Sequence, residues 1–119
     1  MQFVLLIYQG TTPLPNTEAW STLPEAEQRA IYADYAALNK TPGLTAGPPL
    51  GLPEHATTVR VEDGEPVTID GPFVDRKGAV GGFMVLEADD ADAAIALAAR
   101  VPAARHGGAI EIRPVATYW

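Results

Sequence analysis

No cysteine occurs among the 119 residues, so disulfides, thiolate metal sites and cysteine nucleophiles are excluded. Serine is almost as scarce. Ser21 is the only one, and its place in a polar stretch before the first helical pattern argues against Ser–His–Asp catalysis. The two histidines, His55 and His106, are too far apart in sequence to show metal-ligand spacing, and no metal site is expected. Neither a GxGxxG following a strand nor a Walker sequence is present, so no nucleotide cofactor is expected. Basic residues are few, eight against fifteen acidic ones, for a formal net charge of −7. That balance argues against the phosphate backbone of nucleic acid and against anionic membranes as partners. Long apolar runs are missing too. "MQFVLLIY" lacks a basic leading segment and is too short to span a bilayer, so a cytoplasmic location is the expectation.

What is there reads as one soluble domain covering residues 1–119, with 47% hydrophobic and 19% charged residues. "QFVLLIY" has strand length and is apolar at both parities, as in a central strand covered on both faces. "QGTTPLPNTEAWS" reads as a proline-bearing loop. "TLPE" at 22–25 has the form of a capping box, with Thr22 accepting from the Glu25 amide. The helix it opens runs to about Asn39, with Ile31, Tyr35 and Leu38 as its core stripe. "LTAGPPLGLP" supports a short edge strand at most, because adjacent prolines cannot donate to a ladder.

"TTVRVEDGEPVTID" is a hairpin pattern turning at Asp63-Gly64. "GFMVLEA" follows as a buried strand. A helix capped by Asp89 or Asp90 then places Ala94, Leu97, Ala98 and Val101 on one face, with Pro102 as its stop. "GGAIEIRPV" closes the chain as a strand. The expected fold is therefore α+β and ferredoxin-like, a mostly antiparallel sheet with two helices on one face. Val4, Leu6, Phe83, Val85, Ile110 and Ile112 cannot all face those helices. A second copy covering the open sheet face is the simplest partner, so a homodimer is expected.

Between hairpin and fourth strand stands "TIDGPFVDRKGAVGGF". The order of DGPF, a charged loop, "GGFMVLEA", an acid-capped Ala-rich helix and the final "EIRPV" resembles the DGPF-domain proteins of the YCII-related superfamily. The resemblance covers nearly the whole chain and implies the dimeric α/β-barrel variant of the ferredoxin-like fold. It implies either of two functions. One is a cofactor-independent enzyme (a lyase, isomerase or hydrolase) acting on a small polar or aromatic acid. The other is a non-catalytic ligand-binding or regulatory protein, partnered with a protein linked to an extracytoplasmic-function sigma factor. Two departures stand out. The loop reads Val74-Asp75-Arg76-Lys77-Gly78, with Gly78 where the family carries a second acid. The helix "EAEQRAIYADYAALN" has no histidine, whereas many relatives carry one there.

Asp70, ending the hairpin, is the candidate general base if it is buried among Phe73, Tyr8 and Tyr32. The alternative is that Asp70 only caps its own turn. His106, in "AARHGGAI", is the candidate acid or orienter, and Arg76 and Arg113 are candidate anion anchors. Arg113 has the further reading of a pair with Glu111, two residues away on the same strand face. Gly81-Gly82 marks either a bulge or a close ligand approach, the bulge being favoured. A cleft holding Asp70 and His106 within hydrogen-bond reach would favour the enzyme. A cleft filled by Phe73 and tyrosines would favour the binding protein.

Overall fold

The computed structural model describes residues 1–75 and 78–118. Its strands are β1 (Gln2–Tyr8), β2 (Leu44–Ala46), β3 (Thr57–Glu62), β4 (Glu65–Asp70), β5 (Val80–Glu87) and β6 (Ala109–Pro114). The α-helices are α1 (Glu18–Ser21), α2 (Glu25–Asn39) and α3 (Ala91–Ala98), and short 3-10 turns occupy Pro53–His55 and Pro102–Arg105.

Four strands form one sheet in the order β2-β5-β1-β6, with every neighbouring pair antiparallel. β1 and β2 therefore run the same way with β5 between them, and α2 connects them. β5 and β6 likewise flank β1 and are joined by α3. These are two interlocked split β-α-β units. The β3–β4 hairpin is inserted between β2 and β5 as a separate two-stranded ladder. Among the described residues the main sheet is open and closes no barrel.

Alternation along β1 decides which side is packed. Phe3, Leu5 and Ile7 are buried, while Val4, Leu6 and Tyr8 are half-buried on the other face. The buried three meet Met84 and Leu86 of β5, Leu38 of α2, and Ala94, Leu97 and Ala98 of α3 in one cluster. Both long helices thus cover a single face, with Leu38 of α2 and Ala94, Leu97 and Ala98 of α3 on the expected stripes. α3 ends at Ala98, however, before the expected stop at Pro102, and Val101 joins the core from the extended segment that follows. Ile110 and Ile112 belong to that face as well, because they stand opposite Ile7 and Leu5. The open face therefore carries only four of the six residues grouped above: Val4, Leu6, Phe83 and Val85. Beside them on β6 lie Glu111 and Arg113.

Among the described residues three α-helices replace the expected two, and the capping-box expectation fails for the same reason. Thr17 opens α1: its Oγ1 accepts from the Trp20 amide at 3.3 Å and donates to the Leu14 carbonyl at 2.6 Å. Glu18 in the first turn complements the helix dipole, and Trp20 is buried. Thr22 is consequently the end of α1, donating through Oγ1 to the Ala19 carbonyl at 2.9 Å. Pro24 is left as the N-cap of α2 with no side-chain cap bond. Gln28 Nε2 joins the two helices by donating to the Trp20 carbonyl at 2.9 Å. At α3 the acidic cap is Asp90, whose Oδ1 accepts from the Ala93 amide at 2.9 Å.

In the hairpin, Asp63 and Gly64 both have positive φ, 51° and 79°, as a tight two-residue turn of the primed type requires. Little covers this ladder. Val59, Val61 and Ile69 are exposed, Val61 to 70%. A two-stranded hairpin alone is marginally stable in water, so its attachment points matter. Two of them lie at the base: the Gly71 amide donates to the Ala56 carbonyl at 2.7 Å, and Thr58 Oγ1 donates to the Gly71 carbonyl at 2.8 Å.

Candidate binding cleft

A cleft of about 520 Å³ lies where the hairpin base meets the end of the main sheet. One wall is Tyr8, Ala79 and Val80 from the sheet end; a second is Leu50, Leu52, Pro53 and His55; the third is Pro72, Phe73 and Val74 of the DGPF loop. Each wall has a local cause. Tyr8 looks to the open face because it follows buried Ile7 in strand alternation. At this point the β1–β5 register jumps from Ile7↔Gly82 to Tyr8↔Val80, leaving Gly81 as an extra residue. The Gly81-Gly82 pair is thus a bulge, and it re-aims the strand at the cleft.

Gly71 adopts φ of +104°, a conformation that an L side chain rarely takes, and this turns Pro72 and Phe73 back toward the sheet end. Asp75 closes the loop. Its Oδ1 accepts from the Gly78 amide at 2.8 Å, the Asx-type turn considered above for Asp70. The Arg60 guanidinium lies 5.6 Å from the centre of the Phe73 ring.

Of the sequence-derived candidates, Tyr8 and Phe73 come together in this cleft. Asp70 does not border it. It is exposed at the end of β4, opposite Thr57, and its side chain makes no hydrogen bond among the described residues. His106 is half-buried after the Pro102–Arg105 turn and borders neither this cleft nor the small cavity lined by Gln9, Thr12 and Trp20. Tyr32, on α2, does not border the cleft; its ring lies 5.3 Å from that of Trp20 in an edge-on arrangement. Arg113 lies on the open face of β6, where its Nε donates to Glu111 Oε2 at 2.8 Å. That bond, with the Glu111 charge, raises the guanidinium above its usual range. Arg76 lies outside the described residues, as does Lys77.

His55 is the residue that sequence reasoning passed over. It reads as an exposed loop histidine and is indeed exposed, yet it borders the cleft. The available signal was local. Leu50 and Leu52 are apolar side chains in a Pro/Gly-rich segment, and Pro53 starts a 3-10 turn that carries His55 to the cleft.

The other titratable group with a distinct environment is Tyr35. Burial pushes its phenol above the ordinary value of 10.0, and the nearby Arg105 charge pulls part of that back. Arg105 itself pairs with Asp34 of α2. Above pH 10 the unfolded chain loses the Tyr35 proton while the folded chain still holds it. Folding stability therefore falls as pH rises through that window. Tyr35→Phe is expected to flatten this alkaline loss relative to the wild type, as read by thermal melts between pH 9 and about 11. Identical slopes in the two proteins would remove Tyr35 from the account.

No helix among the described residues is long and apolar enough to cross a membrane, and none of their His, Asp and Glu side chains form a group that could hold a metal ion. A family model for the YCII-related domain matches residues 1–118. No curated protein matches the chain.

Proposed function

The chain belongs to the YCII-related family, and from that premise we propose that it is a homodimeric small-molecule-binding protein. Its ligand is a flat apolar or aromatic body carrying a carboxylate, held in the cleft beneath the DGPF loop. The observation that carries this reading is the composition of the cleft wall. Among the described residues Tyr8 and His55 supply its only polar side chains, and Phe73, Leu50, Leu52 and Val74 supply apolar surface. A cavity of that volume with a few polar groups suits a small organic ligand. Arg60, held against Phe73, offers a cation at the rim for an acid.

Acid–base catalysis needs its two groups within hydrogen-bond reach of one substrate. Among the described residues neither Asp70 nor His106 borders the cleft, which favours binding there over turnover by that pair. A ligand-binding role also accords with the regulatory alternative that the family resemblance implies. Dimerisation through the open face is supported by Val4, Leu6, Phe83 and Val85. Phe83 stays 37% exposed even though its ring packs on Gly47.

Thermal shift with 1-naphthoate tests the binding reading, since a ligand that prefers the folded state stabilises it by mass action, about 2.7 kcal/mol at one hundred times Kd. The melting temperature is expected to rise with naphthoate in the wild type, Asp70→Asn and His106→Ala, and to respond far less in Phe73→Ala. Loss of the response in Asp70→Asn and His106→Ala, with Phe73→Ala unaffected, would return the weight to the catalytic pair.

A further inference from the structure

The β3–β4 hairpin has two unlike sides. Strand pairing sets Val59 opposite Thr68, Val61 opposite Pro66 and Thr57 opposite Asp70, so these six residues share one side. The other side carries Thr58, Arg60, Val67 and Ile69 and turns toward the body. There Thr58 Oγ1 donates to the Gly71 carbonyl, and Arg60 lies over the Phe73 ring. Every residue of the first side is exposed, Val59 to 60% and Val61 to 70%. Asp70, at the root, is its one charge, because Glu62 and Glu65 pair on the opposite side.

The open face of the main sheet is by itself small for a dimer. A homodimer interface buries about 800 Å² on each partner, about 65% of it apolar, which is roughly 500 Å². Phe83 is the most exposed of the four apolar residues on that face, at 37%. An aromatic side chain offers roughly 150–250 Å², so Phe83 contributes less than about 100 Å². Val4, Leu6 and Val85 are smaller and half-buried. The four together therefore supply less than about 400 Å². The missing area is available next to them. Ala56 and Pro72, at the hairpin root, border the same cleft as Tyr8, which ends the open side of β1. Six residues per strand make the hairpin about 20 Å long, comparable with the 19 Å thickness of the molecule.

We infer that the hairpin is an arm whose Val59–Val61 side lies against a second copy of this chain, extending the contact that the open sheet face begins. The inference rests on the dimer proposed above and not on the cleft. A net charge of −7 on each copy opposes self-association. Docking by the side that bears only Asp70 keeps Glu62 and Glu65 in water. Two-fold symmetry makes the contact twice, one arm from each copy. A ladder that is marginal alone is then held from both sides.

The test is analytical ultracentrifugation of the intact protein over a dilution series, with hydrogen exchange read by mass spectrometry. The double variant Val59→Asp/Val61→Asp is expected to raise the dimer Kd by at least about a hundredfold, since each buried charge occurs twice in the dimer. In the wild-type dimer, residues 57–70 are expected to exchange at least about tenfold more slowly than in the Leu6→Asp monomer. An unchanged Kd in a folded double variant, or equal exchange of 57–70 in dimer and monomer, would overturn the arm while leaving the sheet-to-sheet dimer standing. A wild type that is monomeric at micromolar concentration would overturn both. The exchange comparison alters no hairpin residue, so it decides the matter even if the double variant fails to fold.

Discussion

Leu5→Ala is expected to lower the unfolding free energy by about 2–5 kcal/mol. Leu5 is fully buried, with Met84 opposite it on β5 and Ile112 opposite it on β6. Helix residues Leu38 and Leu97 belong to the same cluster. Removing the isobutyl group loses its transfer free energy and leaves a void that rigid neighbours on both strands fill poorly. Equilibrium urea denaturation reads the effect as a lower midpoint at unchanged slope. An unchanged midpoint would mean that this face of β1 is not the core.

One residue further along, the expected effect differs in kind. Leu6→Asp should leave the chain folded and reduce its mass in solution from twice 12.6 kDa to 12.6 kDa. Leu6 points away from the helices, between Phe83 on β5 and Glu111 on β6. In a dimer that covers this face, an aspartate would be buried beside Glu111, whose neighbouring cation Arg113 is already paired with it, so the new charge would lack a partner of its own. In a monomer it would stand in water at little cost. Light scattering at micromolar concentration, paired with circular dichroism, separates assembly from folding. A wild type that runs as a monomer, or a Leu6→Asp protein that still dimerises, would sink the sheet-to-sheet assembly.

The contrast between Leu5 and Leu6 also explains how much was legible in the sequence. Period-two and helical patterns are local, so β1, α2, the Asp63-Gly64 hairpin and α3 with its Asp90 cap could be read directly. The stripe Ile31, Tyr35 and Leu38 could be read the same way. Parity across strands was not local. Ile110 and Ile112 lie on the helix face only because β6 registers Ile112 against Leu5, and nothing within "GGAIEIRPV" fixes that register. The short helix α1 was hidden because "TTPLPNTEAWS" is loop-like in composition. Its formation depends on a Thr17 cap and on burial of Trp20, which is tertiary.

At the cleft, the DGPF loop and Tyr8 were legible as components. Their meeting with Leu50 and His55 was not, since it depends on where the chain runs after β2. Asp70 drew attention for its sequence position, a strand end before Gly71-Pro72. The structure leaves its carboxylate exposed and gives the loop-closing bond to Asp75.

The central claim, that the cleft beneath the DGPF loop binds a small aromatic acid, is tested most directly by mapping 1-naphthoate onto the protein with amide NMR. The account predicts saturable shifts concentrated at Tyr8, His55, Phe73, Ala79 and Val80, lost in Phe73→Ala. Saturable shifts centred instead on Asp70 and His106, or no saturable shift at any of the cleft residues, would contradict it.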